Sequence, residues 1–296
     1  METVLGRDPS RCMVPIEARA NSSVFLGMCR PQLLTFLSIL LISNAMLPTI
    51  VQGIALSGLV DALVATFHTS AVVWIALIMG ILSANRAENG AIDRLDRMVF
   101  SACVLLCLLP LGPMTWGVLS CFGFYLVVRS RGAVSWQKSA GWVLFAVSVP
   151  MFWSKRVFSI FADYILAADA VLVASITHTS RTANLVAMPG GQGFLEIGGP
   201  CSSIANVSLA FLCWVVFTQM NSIRWHPRNL FWCGAACTAV IAINVLRIVL
   251  IGYFPTHYDL LHNGIGATVA AWLTSISCLA ICHYGVQIEK RRALLA

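Results

Sequence analysis

Charge is scarce in this chain. Of its 296 residues only 10% are Asp, Glu, Lys or Arg, while 58% are hydrophobic. A soluble domain carries about 25% charged residues, so a water-dissolved globule is excluded. With mean hydropathy +0.83 the class is integral membrane protein. The short alternating segments of a β-barrel are also missing. The apolar runs are long and nearly continuous, and in hydrocarbon only helices satisfy such backbone internally. The 11 cysteines include no C-x-x-C pair, which argues against a disulfide framework and a zinc site. There is no H-E-x-x-H, no G-x-S-G around a membrane serine and no aspartate pair spaced for intramembrane aspartyl hydrolysis. Internal repeats, low-complexity tracts and a separate soluble domain are absent too.

What charge there is sums to +7. In a soluble protein that would indicate nucleic acid; here it reads as membrane orientation, and no nucleic-acid partner is expected. Eight spans are predicted at roughly 33–56, 58–83, 98–110, 113–128, 139–153, 203–220, 230–252 and 264–286, in an all-α polytopic bundle. Pro110, Gly112 and Pro113 predict a tight hairpin between the third and fourth. The stretch 155–175 is apolar but carries Lys155, Arg156, Asp163 and Asp169, and reads as an amphipathic helix in the extracytoplasmic interface. With the N-terminus inside, fifteen of the 19 basic residues fall in cytoplasmic segments. Only Lys155, Arg156 and Arg181 fall outside, and Arg247 lies within a span. The layout is a cytoplasmic tail 1–32, one transmembrane domain 33–286 and a basic cytoplasmic tail 287–296 in a plasma (inner) membrane. The first 30 residues contain Glu2, Asp8 and Glu17 and no apolar core, unlike a cleavable leader.

Most cysteines sit inside apolar runs; Cys103/Cys107, Cys233/Cys237 and Cys278/Cys282 recur at i, i+4 and read as small hydrophobic filler. Cys201 differs. In "LEIGGPCSSIANVSLAF" it follows Gly-Gly-Pro and precedes two serines, where a polar loop becomes an apolar helix. Unsatisfied N–H groups at a helix start favour a thiolate, and can hold the oxyanion of a tetrahedral intermediate. The plain alternative is a small residue at a helix start.

Arg247 in "INVLRIVLIG" lies about five residues inside its span, ~8 Å deep at 1.5 Å per residue. A charge there costs at least ~2.5 kcal/mol on insertion, so it faces protein or a wet cavity unless it snorkels. Asn244, three residues earlier, is placed to orient it. His262 in "HNGIGATVAAW" closes the loop before the last span and offers a general acid/base; His257 in the same loop is a rival. Ser202 and Glu196 are supporting candidates, Glu196 as a residue that could orient the base. The glycine-rich "MPGGQGFLEIGG" follows no Rossmann-type strand and is a weak phosphate signal. Cys201, Arg247 and His262 are all predicted near one membrane boundary, the outer one.

The three stretches, in that order, resemble the exosortase/archaeosortase family. The Asn-x-x-Arg-Ile element is present in full as Asn244 to Ile248, and His-x-x-x-Gly as His262 to Gly266. Around the cysteine the family's Ala-Cys-Ser-Gly reads Pro200-Cys201-Ser202-Ser203, the later arginine is missing near Ala205 or Asn206, and Asn263 stands where an acidic residue is usual. The resemblance covers about 150–286. It implies a membrane cysteine protease or transpeptidase, with Cys201 as nucleophile, Arg247 as oxyanion or substrate-positioning residue and His262 as general acid/base. The implied substrates are exported proteins ending in a short motif, a transmembrane helix and a basic cluster, cleaved at the extracytoplasmic face. Transfer to a surface acceptor follows, with polysaccharide-export machinery as a further partner. No metal or cofactor is implied. The contrasting readings are a transporter or assembly factor for exported polysaccharide, in which Arg247 binds an anion, and an inactive family member.

Overall fold

The computed structural model describes residues 25–109, 112–130, 135–191 and 193–295. Most of the tail 1–32, Pro110 of the expected hairpin and Arg131 lie outside them. Among the described residues the fold is all-α apart from one small sheet. Its helices are α1 (Arg30–Val64), α2 (Ala71–Asn85), α3 (Arg94–Leu108), α4 (Thr115–Arg129), α5 (Trp136–Ser148), α6 (Ser154–Thr177), α7 (Ile204–Met220), α8 (Asn229–Tyr253), a short α9 (Tyr258–His262) and α10 (Ile265–Leu295). Among the described residues five helical stretches are long and apolar enough to cross a membrane: Arg30–Val64, Trp136–Thr177, Gly199–Met220, Asn229–Tyr253 and Ile265–Leu295. Ala71–Asn85 is a shorter apolar helix.

Two boundaries differ from the sequence reading. The first division was expected near residue 57, at Gly58. There α1 only kinks, with Gly58 at φ 79°, and continues to Val64. The chain breaks instead at Thr66, Phe67 and His68, three residues with φ of 50–55°. Consecutive left-handed residues cannot continue a right-handed helix. The second difference is at 153/155, where two helices were expected. The helical run extends from Trp136 to Thr177, with a π-helical turn at Val149–Trp153 joining α5 to α6 and a kink inside α6 at Phe161 (φ −117°, ψ 22°). Pro150 lies in that turn, and the wider i→i+5 bonding takes up the disturbance that a proline brings to a helix.

The described chain divides into two compact units. One comprises residues up to His68 and Leu77–Leu144; the other comprises Thr69–Ala76 and Phe145–Ala296. In the first, the backbones of α4 and α5 approach closely: a Cβ on Gly141 would lie 2.6 Å from the Gly123 carbonyl oxygen. Small residues at such crossings are how membrane helices pack without a hydrophobic drive. At the ends of α1, α3, α4 and α5 lies a buried polar cluster. Arg30 donates from Nε to Asp96 Oδ2 (3.2 Å) and from a terminal nitrogen to Gln137 Oε1 (2.6 Å). The Tyr125 hydroxyl donates to Asp96 Oδ1, and Gln137 donates to the Leu126 carbonyl (3.0 Å). Asp93 caps α3 by accepting from Asp96 N–H (2.8 Å) and pairs with Arg129.

The second unit holds α6 to α10. A core of Ala170, Val173, Ala174, Val186, Ile197, Val245, Ile248 and Val249 joins α6, the small sheet and the C-terminal half of α8. The sheet is an antiparallel meander of β1 (Arg181–Thr182), β2 (Leu185–Ala187) and β3 (Phe194–Glu196), unforeseen in the sequence. The glycine-rich stretch turns β2 into β3, with Gly191 and Gly193 at φ 72° and 102°. Its glycines serve a turn, not a phosphate.

Candidate functional site

Cys201 does not open α7. It closes a 3₁₀ turn, Gly199–Cys201, three residues before the helix begins at Ile204. Its thiol is half-buried, and Sγ lies 3.3 Å from His262 Nε2. Sixty-one residues of chain separate the two, and α9, five residues long, ends at the histidine. His257, the rival, instead pairs with Thr256 Oγ1 (3.0 Å) and stays exposed. The structure thus brings Cys201 and His262, two of the residues expected at one boundary, into direct contact.

The imidazole is set from two directions. Its Nδ1 is 2.8 Å from Asn263 Oδ1. An amide oxygen only accepts, so the ring proton sits on Nδ1 and Nε2 faces the thiol with a free lone pair. Tyr258, one helical turn back, stacks on the ring at 4.8 Å between centroids and 11° between planes. Cys–His–Asn arrangements of this kind orient a base toward a sulfur nucleophile. Asn263 entered the sequence reading only as the substitute for an acidic neighbour, and Tyr258 not at all. Its signal was spacing: an aromatic four residues before a histidine shares its helical face.

The cysteine segment is anchored by buried groups. Asn244 on α8 donates to the Cys201 carbonyl (2.7 Å) and to Ser203 Oγ (3.1 Å). Ser203 N–H donates to Asp169 Oδ2 on α6 (3.0 Å), a carboxylate only 5% exposed. Asn244 was expected to orient Arg247; its amide instead holds the backbone at Cys201. Asp169 read as one charge of an amphipathic helix, and its role becomes visible only when α6 meets the loop before α7. Ser202 is buried, and its hydroxyl accepts from Ile204 N–H (3.4 Å), a turn-closing contact. Glu196 is exposed on β3 opposite Leu185, and among the described residues its side chain forms no hydrogen bond or ion pair. It does not orient His262.

The N–H groups nearest the thiol are already engaged. The N–H groups of Cys201, Ser202, Ser203 and Ile204 already donate to Gly198 O, Gly199 O, Asp169 and Ser202 Oγ. None is free to receive developing charge. Arg247 is different. It lies on α8 one turn beyond Asn244, its Nε is buried, and that nitrogen has no hydrogen-bond partner among the described residues. A buried guanidinium donor left unpaired in the protein is an expensive arrangement and is available to a bound group.

The thiol, the imidazole set against it and the pinned backbone suit nucleophilic attack on an acyl carbon; Arg247, one turn beyond Asn244 on α8, forms no hydrogen bond with Cys201 or His262 among the described residues. Comparison with protein-family models, curated proteins and solved structures finds no match to this chain.

Proposed function

We propose that the protein is a membrane cysteine protease or transpeptidase of exosortase type, acting at the extracytoplasmic face. The observation that carries this reading is the 3.3 Å contact between Cys201 Sγ and His262 Nε2. His262 takes the thiol proton at Nε2 as Sγ bonds to the scissile carbonyl carbon. Arg247 meets the negative charge on the carbonyl oxygen. Collapse of the tetrahedral intermediate breaks the C–N bond, and the imidazolium gives its proton to the leaving amine. The thioester then yields to an acceptor amine, giving transfer, or to water, giving hydrolysis.

The topology that serves this chemistry has eight crossings, formed by α1 to α5, α7, α8 and α10, with both termini cytoplasmic. α6 lies in the outer interface. Its Phe158 approaches the Cβ position of Gly199 at 3.4 Å, and Asp169, three turns on, reaches Ser203. These two contacts, on either side of the kink at Phe161, set α6 beside the loop that carries Cys201. Substrates anchored by a C-terminal helix present their cleavage motif at that boundary, so no peptide bond needs to enter lipid.

Cys201→Ala, co-expressed with a tailed exported protein from a neighbouring gene, tests the assignment. Accumulation of membrane-bound precursor is expected. Normal processing would remove Cys201 as nucleophile and favour transport. A membrane-impermeant thiol reagent should label Cys201 in intact cells, and labelling only after lysis would overturn the orientation.

A further inference from the structure

We propose that Cys213, Cys278 and Cys282 form a three-coordinate site for a soft monovalent metal ion, with Cu(I) the ion of matching chemistry. This site is separate from the Cys201–His262 pair and does not depend on its function. Cys278 and Cys282 lie one turn apart on α10, on one face, and Cys213 faces them from α7. Residues at i, i+4 stand close enough to chelate one ion. The three Sγ atoms all lie within 4.8 Å of one another. A metal about 2.3 Å from each sulfur requires sulfurs about 4 Å apart, so the triangle closes with shifts of under about 1 Å. No disulfide joins them.

The surroundings select the ion. Cys213, Cys278 and Cys282 are 3%, 7% and 0% exposed, packed among Ala210, Trp214, Ala236 and Val286. Three sulfurs, with no carboxylate or imidazole in the cluster, favour a soft cation. Zinc in closed protein sites takes four ligands and iron–sulfur clusters usually take four cysteines; a trigonal sulfur set suits Cu(I). Access exists. A cavity of about 240 Å3 is lined by Cys213 and Cys278, with Asn206, Thr274 and Ser275 as polar wall. Each thiol that binds as thiolate releases its proton to water in that cavity, and the metal keeps its oxidation state. Spacing along the sequence concealed the site, because Cys213 is sixty-five residues from Cys278.

The test uses the full chain in detergent, carrying C201A so that the other thiol–imidazole pair cannot bind metal. Reduced, anaerobic protein is titrated with Cu(I) against a chromophoric Cu(I) chelator. One equivalent retained is expected, with X-ray absorption showing three sulfur neighbours near about 2.3 Å. Adding C282S should weaken retention at least about ten-fold, whereas adding C103S should leave it unchanged. Failure of the C201A protein to retain Cu(I), equal retention after C213S, C278S and C282S are combined, or a coordination shell of nitrogen and oxygen would each overturn the proposal. The absorption measurement needs no cysteine-cluster variant, so a misfolded C282S cannot shield it.

Discussion

Arg30 and Arg247 are both arginines set into apolar helices, and they keep opposite company. Arg30, 9% exposed, has Asp96 and Gln137 as partners, and Asp96 in turn has Tyr125 and the Asp93 backbone. Arg247 has a buried Nε and no partner among the described residues. A satisfied buried charge network is a clasp: it fixes helix ends and leaves nothing over for chemistry. An unsatisfied one is unfavourable in the resting protein and is relieved when something binds. The contrast marks Arg30 as architecture and leaves Arg247 the arginine with a buried donor still open to a partner.

The largest effect that would break this contrast is on stability. Asp96→Ala or Arg30→Ala leaves an uncompensated buried charge and should cost about 3–5 kcal/mol, read as a lower thermal midpoint in detergent. A variant as stable as the parent would dissolve the clasp. Asp96 also gives the clasp a pH limit. Burial pushes its carboxyl up, but hydrogen bonds from Tyr125 and Arg30, the Arg30 charge and the Asp93 N–H outweigh burial, and the net shift is downward from 3.8. A depressed carboxyl stabilises fully above its unfolded value, so this contribution persists above about pH 3.8 and is lost as pH falls through the lower folded value. Loss of the same increment between pH 5 and 7 would contradict it.

Arg247→Ala should lower processing by about 10²–10³-fold while moving the thermal midpoint little or upward. Arg247→Lys should fail nearly as badly if the fork geometry is needed. A large fall in the midpoint would make Arg247 a second clasp. Next comes Asn263→Ala, with a loss of about ten-fold from an imidazole no longer held in one tautomer. Asn263→Asp should instead retain activity and move the acid limb of the pH–rate profile to higher pH, because a carboxylate stabilises imidazolium. An unmoved limb would mean that Asn263 does not act through His262. The smallest effect belongs to Glu196→Gln, under about two-fold, since the side chain is exposed and unpaired; a larger loss in the processing assay would restore it to the site.

Hydropathy alone locates the apolar helices but not all their ends: Arg30–Val64 was expected to divide at 57 and Trp136–Thr177 near 154, and each runs on through a kink or a π-helical turn. Cys201 and His262 are legible because each stands where polar loop meets apolar helix. Their supports are not. Asp169 is 34 residues from the Ser203 amide it holds, and Asn244 is 43 residues from the Cys201 carbonyl; only the packing of α6 and α8 around the loop brings them in. The β-meander escapes periodicity because its strands are two or three residues long. The helix-start reading of Cys201 fails for a local reason. Pro200 lies inside a separate 3₁₀ turn, and the chain leaves that turn at Ser202 in an extended conformation before α7 starts.

The near-parallel stack of Tyr258 on His262 restricts how a proton can travel. With a phenol ring covering one face at 4.8 Å, the imidazole cannot flip out of plane without losing its neighbour, but it can slide and pivot across that surface. In the proposed reaction, pickup at sulfur and delivery to a departing nitrogen share a single plane. Donors and acceptors must reach this base edge-on, along the rim that the tyrosine leaves uncovered.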